Sequence, residues 1–323
     1  VSLAPLVTLP TLEADLARVE SALRRTVEAG DPFMTQVASH LIPAGGKRLR
    51  PALAVAIGSL AAAPVHDDVV MGGCSVELVH LGSLYHDDVM DEARTRRNVE
   101  SVNSRWGNLV AILAGDFLLA RASEIAAALG TEIAGLLATT IGNLCEGQVR
   151  ELSQAFDMGR TEDAYLTSIQ GKTASLMATA CRIGALTSGL DRPAVDALTR
   201  YGESLGMVFQ IVDDVLDVVA TEEQLGKPAG NDLVEGVYTL PVIRALAAEA
   251  TADSLRRLLR RGIEPDAVEE ARSIIRSNGS VTASLEVARA YAARADTALD
   301  ILPPGPVVDA LRALPAHFLA TVA

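Results

Sequence analysis

From about residue 11 to residue 300, apolar side chains return every three or four positions, the period of a helix with one buried face. No run alternates strictly between apolar and polar, as a half-buried strand would. The interruptions are loop-like: "AGDP" at 29–32, "IPAGGKRLRP" at 42–51, "AAAPVHDD" at 61–68, "GLDRP" at 189–193, "LGKPAGNDLVEG" at 225–236 and "LPPGP" at 302–306. Helices of roughly 15 to 30 residues are expected between them. No linker is biased enough to mark a boundary, and no repeat of solenoid period occurs. The expectation is an all-α chain whose long helices surround a core, a single domain over 1–323. Residues 251–323 carry amphipathic helices such as "DSLRRLLRRG" but no nameable chemistry.

Composition narrows the function classes. Aromatics are scarce while Ala and Leu are abundant, which favours helices over a β sandwich. A formal charge of -13 repels nucleic acid, so an anionic ligand needs a local basic pocket. Cys74, Cys145 and Cys181 lie far apart with no C-x-x-C pair, which argues against structural zinc or a disulfide framework. No apolar run reaches the ~18 residues of a membrane span, and "VSLAPLVTLP" lacks the basic flank of a signal peptide. A cytoplasmic protein is expected.

Against this background "LGSLYHDDVMDEARTRR", residues 81–97, is unusual. At ~100° per residue, Glu77, His80, Leu84, Asp87, Asp88 and Asp91 share about a third of the helix circumference. The remaining positions are largely Val, Leu, Met and Tyr, so a polar stripe lies on a helix otherwise built for burial. Two carboxylates ~4 Å apart repel by ~4 kcal/mol at an effective dielectric of ~20, and three in one patch need cations. Oxygen ligands at i, i+1 and i+4 suit Mg²⁺, which combines one or two carboxylates with waters and substrate phosphates. The earlier "HDDVV" differs. Met71 stands four residues after Asp67, and acids following Pro64 ahead of an apolar run read as a helix N-terminus.

A second triad, Asp213, Asp214 and Asp217 in "FQIVDDVLD", repeats the spacing, with Gln210 one turn earlier on the same face. Two such helices facing each other would hold divalent cations between them, neutralised by a polyanion such as a diphosphate. Basic residues stand in matching places. In "AGGKRLRP", Gly45 and Gly46 free the backbone, Lys47, Arg48 and Arg50 supply charge, and Pro51 suits a first helical turn, an end that binds phosphate well. The P-loop pattern is absent. Arg94, Arg96 and Arg97 follow the first triad, where a helix C-terminus tolerates cations. Lys172 and Thr173 in "IQGKTASL", and Lys227 in "LGKPAGND", are isolated signals.

Taken together, "GGKRLRP", "ELVHLGSLYHDDVMDEARTRR", "GKTASL", "FQIVDDVLD" and "GKPAGNDL" resemble, in order and spacing, the trans-isoprenyl diphosphate synthases (polyprenyl synthetases) over roughly residues 40 to 241. The resemblance implies long helices around a deep central cavity, usually in a homodimer. It implies that Asp87, Asp88 and Asp91, with Asp213, Asp214 and Asp217 (the last through water), bind three Mg²⁺ on an allylic diphosphate. Arg96, Lys172 and Lys227 would hold that diphosphate. Gly46, Lys47, Arg50, His80 and Arg97 would bind isopentenyl diphosphate. Oxygens and dipoles around Lys172, Thr173 and Gln210 would stabilise an allylic carbocation. Pyrophosphate would take the final proton, so no nucleophile–base pair is needed.

Three positions depart from the family pattern. Val237 in "EGVYTLP" replaces a lysine, Asn98 replaces the glycine after the paired arginines, and Glu151 stands where glutamine is frequent. No metal ligand is lost. One turn before Asp87 the small residues Gly82 and Ser83 stand where bulky aromatics stop short products in the family. Ser83 is the nearer to the site face. A long-chain product of about C30 to C50 is expected by that resemblance, with C20–C25 as the alternative. A non-catalytic subunit of a heteromeric enzyme would usually lack aspartates that are present here, and a terpene cyclase would lack the second triad and "GGKRLRP".

Overall fold

The computed structural model describes residues 2–225, 229–259 and 263–322 and is helical almost throughout. Two helices carry the acidic motifs. The first aspartate helix, Asp67–Met90, is ~36 Å long at 1.5 Å per residue. It starts where "HDDVV" predicted a helix N-terminus, with Asp67 and Asp68 in its first turn and Asp67 paired to Arg18 at 2.7 Å. The second, Arg192–Val219, is capped by Asp191, whose carboxylate accepts from the Ala194 amide at 2.9 Å, and by Pro193 in the first turn.

Around them pack Leu49–Gly58, Asn108–Leu129, Thr131–Ser153, Ser175–Thr187, Ser280–Ala298 and Pro306–Ala320. Asn108–Leu129 lies along the first aspartate helix, while Ser175–Thr187 and Ser280–Ala298 lie along the second. The main apolar core runs from Leu6 to Phe318 and includes Tyr85 and Tyr201. Both phenols find carbonyl acceptors, Val37 and Leu311, each at 2.8 Å, as buried hydroxyls must. A second cluster, with Val218, Tyr238, Leu255 and Ile275, lies beyond the end of the second aspartate helix.

Two features depart from the sequence expectation. A two-residue hairpin pairs Thr95–Arg96 with Val99–Glu100. Its central residues, Arg97 and Asn98, both have positive φ (53° and 63°), as the tight turn that matches strand twist requires. Asparagine adopts that region readily, so Asn98 fulfils the glycine's conformational task. The C-terminal region, without nameable chemistry, has a structural role. Arg272 donates to the Val218 and Ala220 carbonyls (3.1 and 2.6 Å), satisfying the end of the second aspartate helix. No helix among the described residues is long and apolar enough to cross a membrane.

Candidate active site

The close approach of three backbones assembles the site. Residues Gln170–Ala174 form one π-helical turn, a local widening frequent at functional sites. A Cβ on Gly147 would lie 2.5 Å from the Lys172 amide, so only glycine lets the Thr131–Ser153 helix approach this closely. One turn on, Glu151 receives Lys172 Nζ at 2.5 Å. A Cβ on Gly206 would lie 2.5 Å from Ala174 Cα, and one turn on, Gln210 Oε1 accepts from Thr173 Oγ1 at 2.7 Å. Gln210 Nε2 then donates to Asp214 Oδ1 at 2.7 Å.

A cavity of about 540 Å³ opens between the first aspartate helix, the Asn108–Leu129 and Thr131–Ser153 helices and the π turn. Arg50 and His80 line one part and Asp87, Lys172 and Thr173 another. The remaining wall is largely apolar, with Met90, Ile112, Leu144, Val149, Leu152 and Leu176. Ser83 belongs to this lining and donates to the His80 carbonyl at 2.9 Å. Gly82 does not line it. It faces the neighbouring helix, where a Cβ would meet the Gly115 carbonyl at 3.0 Å and Leu119 at 3.2 Å, so its smallness serves helix packing.

On the acidic side, Asp88 is fully buried and receives Arg96 Nε at 2.7 Å and a second guanidinium nitrogen at 2.6 Å on one oxygen. Its other oxygen is buried without a partner. Burial pushes the Asp87 carboxyl up to about 6, although Lys172 pulls it the other way. Asp91 caps the helix end and is exposed. Asn103 donates to the Asp88 and Ala93 carbonyls (2.9 and 3.0 Å), fixing that end. In the second triad Asp213 is half-buried, and Asp214 and Asp217 are buried. Burial raises the Asp214 carboxyl, with hydrogen bonds from Tyr165 and Gln210 opposing. Asp217 accepts from the Asp232 amide at 3.2 Å and so also anchors the following loop. Lys227 lies outside the described residues.

The basic side gathers Arg50, His80 and Arg97. Burial lowers Arg50 to about 10, and its Nε is buried without a partner. His80 is pushed well below its ordinary value by burial and by Arg50, Arg97, Arg48 and Arg96, so it is neutral at pH 7. Arg97 donates to the Gly45 carbonyl, and a Cβ on Gly46 would sit 2.6 Å from its guanidinium carbon. Lys47 is exposed, its ammonium 5.8 Å from the Phe209 ring centroid. Arg48, grouped with these cations by sequence, points elsewhere. It is neutralised by Glu77 at 2.7 Å and Glu20 at 3.0 Å, which also takes Glu77 out of the acidic stripe.

Burial opposes the Lys172 charge, yet Glu151, Asp87 and Asp91 together raise its pKa. Arg96 and Lys172 are therefore both held on carboxylates, Asp88 and Glu151. Sequence reasoning missed Glu151 as the partner of Lys172 and missed Tyr165, whose hydroxyl donates to Asp214 Oδ2 at 2.5 Å. Tyr165 sits in an ordinary amphipathic stretch, "TEDAYLTSI", and carries no signal by itself.

Among the described residues no three His, Cys, Asp or Glu side chains converge closely enough to hold a metal unaided. A hard cation takes one or two carboxylates and completes its shell with water and phosphate oxygens. The unpartnered Asp88 oxygen and the crowded Asp87 fit that requirement.

Residues 31–276 match the family model described as polyprenyl synthetase. The chain is 40% identical to nonaprenyl diphosphate synthase of Mycobacterium tuberculosis, over 97% of this chain and 94% of that protein. It is 34% identical to heptaprenyl diphosphate synthase component 2 of Bacillus subtilis, over 94% and 87%. The fold matches a polyprenyl synthase from Caulobacter crescentus, complexed with calcium and isoprenyl diphosphate, with a TM-score of 0.92, 36% identity and coverage of 100% and 98%. Together with the two aspartate helices, these likenesses show that the chain belongs to the polyprenyl synthetase family and is a prenyltransferase with the all-α isoprenoid synthase fold.

Proposed function

We propose that this chain condenses isopentenyl diphosphate with an allylic diphosphate, with Mg²⁺ as its metal, to give a long-chain polyprenyl diphosphate of about C30 to C50. The observation that carries this reading is a cavity lined by Arg50, Asp87 and Lys172 on one side and a largely apolar wall on the other, with small Ser83 in the lining. The nonaprenyl and heptaprenyl names of the relatives point to the same product class.

In this reading Asp87, Asp88, Asp91, Asp213 and Asp214 would hold three Mg²⁺ with the allylic diphosphate, and Asp217 would join through water. The ions, when bound, supply the Lewis acidity that draws charge from the leaving diphosphate. Lys172 and Arg96 turn from Glu151 and Asp88 to that diphosphate, together with Lys227. Gly46, Lys47, Arg50, His80 and Arg97 hold the diphosphate of isopentenyl diphosphate, and the neutral His80 donates one hydrogen bond. The allylic C–O bond breaks with its electron pair leaving on pyrophosphate. Thr173 and Gln210 present oxygen dipoles to the resulting allylic cation, while Leu144 and Leu176 help exclude water from it. The isopentenyl double bond then attacks, and a proton passes to the departing pyrophosphate. The absence of a side-chain base needs no remedy.

Exposed Leu109 and Leu113 lie on the Asn108–Leu129 helix, outside the cavity lining, an apolar surface that a homodimer would cover. A protein acting in the cytoplasm fits this reading. The decisive experiment incubates the purified chain with Mg²⁺, isopentenyl diphosphate and, separately, dimethylallyl, geranyl, farnesyl and geranylgeranyl diphosphates, followed by mass spectrometry. A ladder ending at one chain within C30–C50 is expected. A ladder ending at C20–C25 would overturn the chain-length reading, and no product with any primer would mark the chain as one subunit of a two-component enzyme.

A further inference from the structure

Behind the second triad stands a residue that the proposed chemistry does not use. Tyr165, on the Glu162–Ile169 helix, is 1% exposed and donates its hydroxyl to Asp214 Oδ2 at 2.5 Å. Gln210 Nε2 donates to the other Asp214 oxygen at 2.7 Å. A carboxylate offers about four lone-pair sites, and here one on each oxygen is already taken. Two donors on opposite oxygens fix the carboxylate plane and leave one free direction per oxygen. Gln210 in turn accepts from Thr173 at 2.7 Å, so the chain Tyr165–Asp214–Gln210–Thr173 is continuous.

Tyr165 is itself held. The Arg160 guanidinium carbon lies 5.5 Å from the ring centroid, and a terminal nitrogen of Arg160 donates to the Tyr238 carbonyl at 3.0 Å. The ring belongs to a small apolar cluster with Ile169, Ile211 and Leu240. The buried phenol is thus held by its apolar neighbours and gives its hydroxyl to Asp214.

The geometry points to Tyr165 as a positioning residue that orients Asp214 for the divalent cation and, through Gln210, keeps Thr173 in register with it. The inference rests on the reading of Asp214 as a metal ligand. Residues that hydrogen-bond a metal's ligands typically change metal affinity or activity by ~10- to ~100-fold when removed.

The test is a double-mutant cycle of Tyr165→Phe and Asp214→Asn, read as the Mg²⁺ concentration at half-maximal rate. Its second readout is calorimetric binding of Mg²⁺ with inorganic pyrophosphate, together with the KM for isopentenyl diphosphate. Tyr165→Phe is expected to raise the Mg²⁺ requirement about tenfold or more and to leave the isopentenyl diphosphate KM unchanged. Added to Asp214→Asn, it is expected to cost nothing further, because its effect passes through that carboxylate. If Tyr165→Phe does not fold, 3-fluorotyrosine placed at position 165, nearly the same size and a stronger hydrogen-bond donor, replaces it: a shifted Mg²⁺ requirement is expected, and an unchanged one would overturn the assignment. A double variant worse than Asp214→Asn, or a single variant with an unchanged Mg²⁺ requirement, would overturn the assignment. An unchanged Mg²⁺ requirement in Asp214→Asn itself would instead overturn the metal-ligand reading.

Discussion

Glu151→Gln is the substitution whose sign is least obvious. It removes the charged partner of Lys172, 2.5 Å away, while keeping size and an acceptor oxygen. A charge-assisted hydrogen bond contributes ~1.5–3 kcal/mol net. Tenfold in affinity corresponds to ~1.4 kcal/mol, so freeing Lys172 is worth ~10- to ~150-fold at the limit. Asp87 and Asp91 still attract the released ammonium, which favours the lower end. The expected outcome is about tenfold tighter binding of inorganic pyrophosphate in EDTA, measured by calorimetry at fixed ionic strength. Excluding metal isolates the lysine from any change in cation binding. The gain should vanish in a Lys172→Met background. Weaker or unchanged binding in Glu151→Gln would refute the view that Glu151 holds Lys172 in reserve. A gain that survives without Lys172 would reduce the effect to a general change of field.

Two further outcomes are expected. Ser83→Phe, at the cavity lining, should shorten the product ladder by one or more isoprene units, read by mass spectrometry. An unchanged ladder would remove Ser83 from the floor. The Asp87 carboxyl, pushed up by burial to about 6 from an unfolded value of ~3.9, binds its proton more tightly in the folded chain. Its stabilising contribution is complete below ~4 and is lost as pH rises through 6. Metal-free Asp87→Asn should therefore melt above the parent at pH 7.5, with the gap closing toward pH 4, by thermal denaturation in EDTA. A gap independent of pH would refute this.

The parts of the site legible in the sequence are those whose chemistry demands one residue type at a helical interval. Three acids at i, i+1 and i+4, twice over, have few purely structural explanations on helices otherwise apolar, and the structure puts both sets on long helices. The all-α reading rests on the same periodicity, sustained over most of the chain. The hairpin at 95–100 escaped because strands of two residues leave no alternation to detect, although Asn98 in a turn was its trace.

What stayed hidden are pairings that depend on how helices approach one another. In "GGKRLRP" sequence alone treats Arg48 and Arg50 as equals. At the helix start, with Arg48 as the cap and Arg50 in the first turn, they point in different directions, one to Glu20 and Glu77, the other into the cavity. Glycine at 147 and 206 decides more than any charged residue, because it sets how near two helices come to the π turn at 170–174. Each glycine stands one helical turn before a polar side chain, Glu151 or Gln210, that then reaches Lys172 or Thr173. The spacing of four is as regular as that of the aspartates. Glycine at this spacing carries no chemistry of its own, so it reads as a site signal only when the facing element is known.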